Sequence, residues 1–162
     1  MTNDLTNDPY RMQADHLPTP FTADAIRAVT PAGYTVETET EAIGEVAARH
    51  RIEFTEVDDE RAVMVSTPID ESGEPVGDPR ANTADWLDLQ AHASFPAGIT
   101  TITDDTIETP LGTLNCRRYD VRGDDHTNTF WFSPSHPGMP VRFTSDADHA
   151  PTTTVTAIHR PS

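Results

Sequence analysis

From Tyr34 the chain alternates, with Tyr34, Val36, Thr38 and Thr40 on one face and Glu37, Glu39 and Glu41 on the other. That period of two predicts a strand with one dry and one wet face. A second run over 49–57 repeats it, setting His50, Ile52 and Phe54 against Arg49, Arg51, Glu53 and Thr55. Asp58-Asp59-Glu60 supplies a turn, 62–67 a third strand, and 68–82 a loop rich in Pro, Gly and Asp. Three successive strands with short turns imply an antiparallel meander. Beyond Pro96 and Gly98, further strands are predicted over 99–103, 106–109, 113–121, 127–132, 141–144 and 152–159. Gly123-Asp124-Asp125 marks one hairpin turn, and the Pro- and Gly-bearing segment 133–140 marks another.

Two helix signals interrupt this pattern. Thr22 has the character of an N-cap, Asp24 suits the first turn, and Phe21 and Ile26 are spaced as a hydrophobic staple. Pro31 and Gly33 end that helix. Thr83-Ala84-Asp85 echoes Thr22-Ala23-Asp24 and predicts a helix over 84–93, with Trp86, Leu89 and Ala93 on one side and Asp85, Asp88 and His92 on the remaining arc. Many strands with two short helices, and no internal repeat, predict an α+β domain: a strongly curved, mainly antiparallel, half-barrel-like sheet whose hollow is partly filled by helix. Residues 1–20 are polar, carry three prolines and show no apolar period, so they are expected to form a disordered or loosely packed arm before a single domain at 21–160.

At 162 residues, such a domain buries roughly 68–70% of its unfolded surface, enough for a core that needs no metal or disulfide. Cys116 is the single cysteine, which excludes an intrachain disulfide and suggests a buried, reduced thiol. Twenty-seven acidic residues against eleven basic ones give a formal charge of −16, a field that repels nucleic-acid backbones and anionic membranes. All the basic residues are arginines, and Asp exceeds Glu. A high-GC genome or adaptation to molar salt, where screening acts within about 3 Å, would each produce this surface. With no basic leader at the first residues and no apolar stretch of membrane-spanning length, a cytoplasmic location is expected.

The stretch Thr109-Pro110-Leu111-Gly112-Thr113-Leu114, followed by Tyr119, Phe130-Trp131-Phe132 and Pro140-Val141-Arg142, resembles the closing strands of uncharacterised bacterial half-barrel proteins similar to the lipoprotein carriers. The resemblance covers about the last third of the chain. It implies the half-barrel shape and an apolar cavity; without a lipidation cysteine it does not imply lipoprotein export.

Few residues suggest chemistry. Asp85, Asp88 and His92 are spaced as a carboxylate-histidine metal site, or equally as a solvated helix face with one Asp-His hydrogen bond. No H-E-x-x-H, G-x-S-x-G, Walker or Rossmann pattern occurs, so no cofactor is expected. Arg122-Gly123-Asp124 is explained by turn chemistry. Arg117 and Arg118 are adjacent on a strand, so one points inward unless a bulge intervenes; an inward Arg118 would hold an anionic head-group, whereas the alternative is pairing with nearby carboxylates. Phe130, Phe132 and Phe143 alternate on adjacent strands and, with Trp86, would line a lipophilic pocket if the helix leaves the sheet's hollow partly open. The expected function is therefore a non-catalytic binder of a lipophilic small molecule. The alternatives are a protein-interaction module using the arm or a sheet edge, and a metal-dependent enzyme.

Overall fold

The structure, a computed structural model, describes residues 8–161. Residues 1–7 of the expected arm lie outside the described residues. The elements in chain order are α1 (Ala23–Ala28), β1 (Thr35–Ala42), β2 (Glu45–Val57), β3 (Arg61–Pro68), β4 (Arg80–Asp85), α2 (Trp86–Ala91), a 3-10 turn (Ala97–Ile99), β5 (Thr100–Thr109), β6 (Gly112–Arg122), β7 (Thr127–Phe132), β8 (Arg142–Ser145) and β9 (Thr152–His159). Among the described residues, no helix is long and apolar enough to cross a membrane.

The nine strands form one open sheet in the order β4-β3-β2-β1-β9-β8-β7-β6-β5, and every neighbouring pair is antiparallel. Two meanders, β1–β4 and β5–β9, are joined where the first strand pairs with the last. The edges are β4 and β5, which are consecutive in the chain. A flat sheet of this width would hold its edge strands roughly 38 Å apart at about 4.8 Å per strand. The connection from Trp86 to Ile99 contains α2 and the 3-10 turn, and at helical and extended rises it reaches at most roughly 35 Å. The sheet must therefore curl, and the connection must cross its hollow side.

That crossing builds the core. Trp86 stacks on Phe54, with ring centroids 6.4 Å apart, and its indole N–H donates to the Asp58 carbonyl at 2.8 Å. Phe21, Ile26, Trp86, Ala93, Tyr119 and Phe132 are buried in one cluster, and the Thr22 hydroxyl accepts from the Ala25 N–H at 3.1 Å, as expected of a helix cap. Buried Gln90 ties α2 to its surroundings: its amide oxygen accepts from Ala23 N–H at 2.9 Å and its amide nitrogen donates to the Pro9 carbonyl at 2.7 Å and Thr19 Oγ1 at 3.0 Å. The described part of the N-terminal segment is held further by Leu17 N–H on the Phe95 carbonyl at 2.9 Å and by Tyr119 Oη donating to the Pro18 carbonyl at 2.8 Å.

Two sequence expectations are corrected. Thr83-Ala84-Asp85 does not open a helix; it pairs with Val63, Ala62 and Arg61 as the end of β4, and α2 begins at Trp86 behind Asp85, whose side chain makes no capping bond. Satisfying the free edge of β3 outweighs a local capping signal. Likewise β5 runs unbroken through Asp104-Asp105. Both charges find partners, Asp104 with Arg117 at 3.5 Å and Asp105 with Arg118 at 3.7 Å, and Asp105 also accepts from the Trp131 N–H at 2.9 Å.

Two predictions follow from local geometry. The β1–β2 hairpin turns through Ile43 and Gly44 at φ 55° and 77°, and a β-branched residue is strained at positive φ where Asn-Gly is favoured. Because Ile43 is also exposed, Ile43→Asn should stabilise the fold by about 1 kcal/mol, read as a higher urea midpoint at unchanged slope. Burial raises the Tyr119 phenol from 10.0 to about 12, against a smaller lowering influence of Arg117. The folded state then keeps a proton that the unfolded chain releases, so the contribution is intact below pH 10 and lost as pH climbs towards 12. Tyr119→Phe should flatten that alkaline loss of stability by about 3 kcal/mol, while costing about 1 kcal/mol at neutral pH through the lost bond to Pro18.

Candidate functional site: an apolar cavity beneath the helices

The inward face of the curled sheet is dry because Val36 of β1, Ile52 and Phe54 of β2, Phe130 and Phe132 of β7, Phe143 of β8 and, across a register shift, Val155 and Ile158 of β9 all face it. Register places Val36 beside Ile52 and Ile158, and Phe130 beside Tyr119 and Phe143. The two helices cover only part of this surface. Between them and the sheet remains a cavity of about 400 Å³. Val36, Phe54, Met64, Phe143, Val155 and Ile158 contribute to its floor, Ile26 and Leu89 to its roof, and residues 136–140 of the β7–β8 connection to one side. The Phe130 ring stacks on Phe143 at 6.2 Å and on Phe95 at 5.1 Å, which fixes the aromatic wall. Its volume falls in the ordinary range of small-molecule sites.

Two polar residues of this lining lie near Arg160, which stands just outside it. Tyr34 and His136 both border the cavity, and the Arg160 guanidinium lies over the Tyr34 ring, 5.9 Å from its centroid. Local backbone explains the arrangement. Gly33 has φ +96°, and a Cβ there would stand 3.3 Å from Pro161 Cβ, so the chain leaving β9 lies close against the turn that precedes β1. Burial raises the Tyr34 phenol, and Arg160 partly offsets that rise. Burial lowers His136, and Arg160 lowers it further. His136 Nδ1 is buried without a hydrogen-bond partner. An unpaired lone pair is less costly than an unpaired N–H, which favours the neutral tautomer protonated on Nε2.

The residues singled out from sequence divide sharply. Phe130, Phe132 and Phe143 line the cavity. Trp86 does not; it is 3% exposed and closed off in the core against Phe54 and Asp58. Arg118 lies on the opposite face of the sheet, because it pairs in register with Trp131 while its neighbour Tyr119 pairs with Phe130. There it meets Asp120 at 3.1 Å and Asp105 at 3.7 Å and covers the Trp131 ring, so the expected inward arginine is a carboxylate-paired outer one. Asp85, Asp88 and His92 do not converge. Asp85 ends β4 beside Arg61, Asp88 is exposed on α2, and His92 alone reaches the cavity. Among the described residues, no group of three or more His, Cys, Asp or Glu side chains could hold a metal. Cys116 is buried, and burial raises its thiol, as does nearby Asp105.

Sequence reasoning passed over Tyr34 as a plain face residue and did not reach His136 or Arg160. Segment 133–140 was legible only as a turn. The one available signal was an arginine just beyond the last strand, whose position opposite Tyr34 depends on β1 pairing with β9.

No family model matches the chain, and no curated protein matches it. Among solved structures it is similar to PNGF-II, at 8% identity and a TM-score of 0.44, over 80% of this chain. The matched chain is much longer, and the match spans 28% of it.

The coupling of His136 to Arg160 is directly measurable. Because the guanidinium and burial both disfavour the imidazolium, Arg160→Gln should move the His136 titration upwards in histidine-resolved NMR. In the native protein, the neutral imidazole stabilises the fold above the ordinary histidine range, near 6.5. That contribution is lost as pH falls through the lowered folded value.

Proposed function

We propose that this domain is a non-catalytic, cytoplasmic binder of a lipophilic small molecule, held between the sheet's inward face and the two helices. The observation that carries this reading is the cavity of about 400 Å³, left open beneath helices that otherwise seal a continuous aromatic core. A domain whose core were simply closed by its own side chains would not forfeit so much dispersion energy along one dry wall. Resemblance of the closing strands to half-barrel proteins supports the same shape of site. The chain's charge of −16 argues against nucleic acid as the occupant.

Native mass spectrometry of gently purified protein, compared with its denatured mass, tests for a retained small molecule, and binding of the uncharged dye Nile red tests the empty site. A saturable dye signal at one site per chain is expected. Ile158→Trp, which adds volume on the cavity floor, should weaken dye binding about tenfold or more without lowering the thermal midpoint. An absence of both retained mass and saturable dye binding would overturn the proposal.

A further inference from the structure

The chain carries far more carboxylates than arginines, and six of its eleven arginines pair with one, while Arg11, Arg122 and Arg142 donate to backbone carbonyls instead. Arg27, Arg49, Arg51, Arg61, Arg117 and Arg118 each lie within ion-pair distance of a carboxylate. Arg160 has no such partner among the described residues. It is held instead against Tyr34, and its charge acts on both Tyr34 and His136. Neither the Tyr34 hydroxyl nor the His136 Nε2 has a hydrogen-bond partner among the described residues, and neither is among the buried unpaired atoms. An exposed arginine on a tyrosine ring gains only about 0.5–1 kcal/mol from the contact; what sets Arg160 apart is its place over a ring that borders the cavity.

We infer that the cavity's occupant is an amphiphile with an anionic head, a carboxylate in the first instance. Its apolar body lies along the Phe130 and Phe143 wall while its head meets the Arg160 guanidinium, with Tyr34 and His136 as neutral donors. This deepens the ligand-binding reading and rests on it. The chemistry is consistent at each point. A guanidinium fork matches a carboxylate with two parallel bonds. A neutral imidazole protonated on Nε2 and an un-ionised phenol both donate. Apart from His92 and Thr30, whose hydroxyl is taken by the Ile26 carbonyl, the remaining side chains of the lining are apolar, which suits a hydrocarbon tail. In a strongly acidic protein, an unpaired cation beside an apolar hollow also supplies the local field that an anion needs in order to approach.

The test compares decanoic acid with 1-decanol by isothermal titration, at the lowest salt in which circular dichroism shows the fold intact. Native protein, Arg160→Gln and Arg160→Lys are measured alike. The quantity read is the ratio of the two dissociation constants within each protein, so a general change in the cavity cancels. Native protein should prefer the acid by about tenfold, as a charge-assisted contact at a partly exposed site provides. Arg160→Gln should abolish that preference and Arg160→Lys should keep part of it. Equal binding of acid and alcohol would overturn the anionic head while leaving the cavity proposal standing. An acid preference that survives Arg160→Gln would overturn the role of Arg160. Binding of neither probe would overturn the cavity reading and this inference together.

Discussion

The edge strands of the sheet are consecutive in the chain, and the structure depends on the shortness of what joins them. Strands β4 and β5 stand at opposite ends of a nine-stranded order, yet one connection carrying a six-residue helix bridges them. A flat sheet cannot be spanned this way, so the natural right-handed coiling of antiparallel strands is tightened until the edges approach. The bridging segment then lies inside the curl. It becomes the roof of the core, with Trp86 and Gln90 as the buried residues of its helix.

The same constraint explains why a cavity remains. A six-residue α1 and a six-residue α2 are short rods, and they pack against one another and against the N-terminal segment that Gln90 binds. Their contacts favour the Tyr119 and Phe132 side of the hollow, where Phe21 and Phe95 add aromatic bulk. Towards β1, β9 and β8 the inward face is lined by Val36, Val155, Ile158 and Phe143, and the β7–β8 connection closes it from the side. The outer face shows the opposite balance. It carries the Glu37–Arg51 and Glu39–Arg49 pairs at 3.3 and 3.2 Å, each partly exposed and worth at most about 1 kcal/mol. The apolar cluster that Leu114 and Cys116 form there, with Trp131 packed against it, is small. Stability therefore resides chiefly within the curl, and charge is displayed outside it.

Electrostatics inside and outside are linked through the placement of arginine. On the outer face the guanidiniums answer carboxylates, as Arg118 does for Asp105 and Asp120. At the cavity Arg160 answers an aromatic ring and depresses a histidine. Arg118, expected to face inward, is taken up by carboxylates, and the arginine that lies over a cavity-bordering residue is Arg160 at the far end of the chain.

Alternation by itself determined most of the sheet, though not β4 or the continuity of β5. The faces of β1 and β2, the limits of β7 and β9, and the two hairpins around Gly123 and residues 133–140 follow from a period of two and from turn residues whose preferences are local. The Thr22 cap was legible for the same reason, since a helix start is decided within a few residues. Whatever depended on partners distant in sequence was not legible. Thr83-Ala84-Asp85 became strand because β3 offered a free edge, and Asp104-Asp105 stayed in strand because Arg117 and Arg118 stood opposite. Which face Arg118 took was set by its register with Trp131. Tyr34, His136 and Arg160 come together only through the pairing of β1 with β9 and the curl imposed by the bridge. Local propensity acts over neighbours in the chain, whereas a site assembled from both ends of a sheet exists only once long-range pairing has closed the distance.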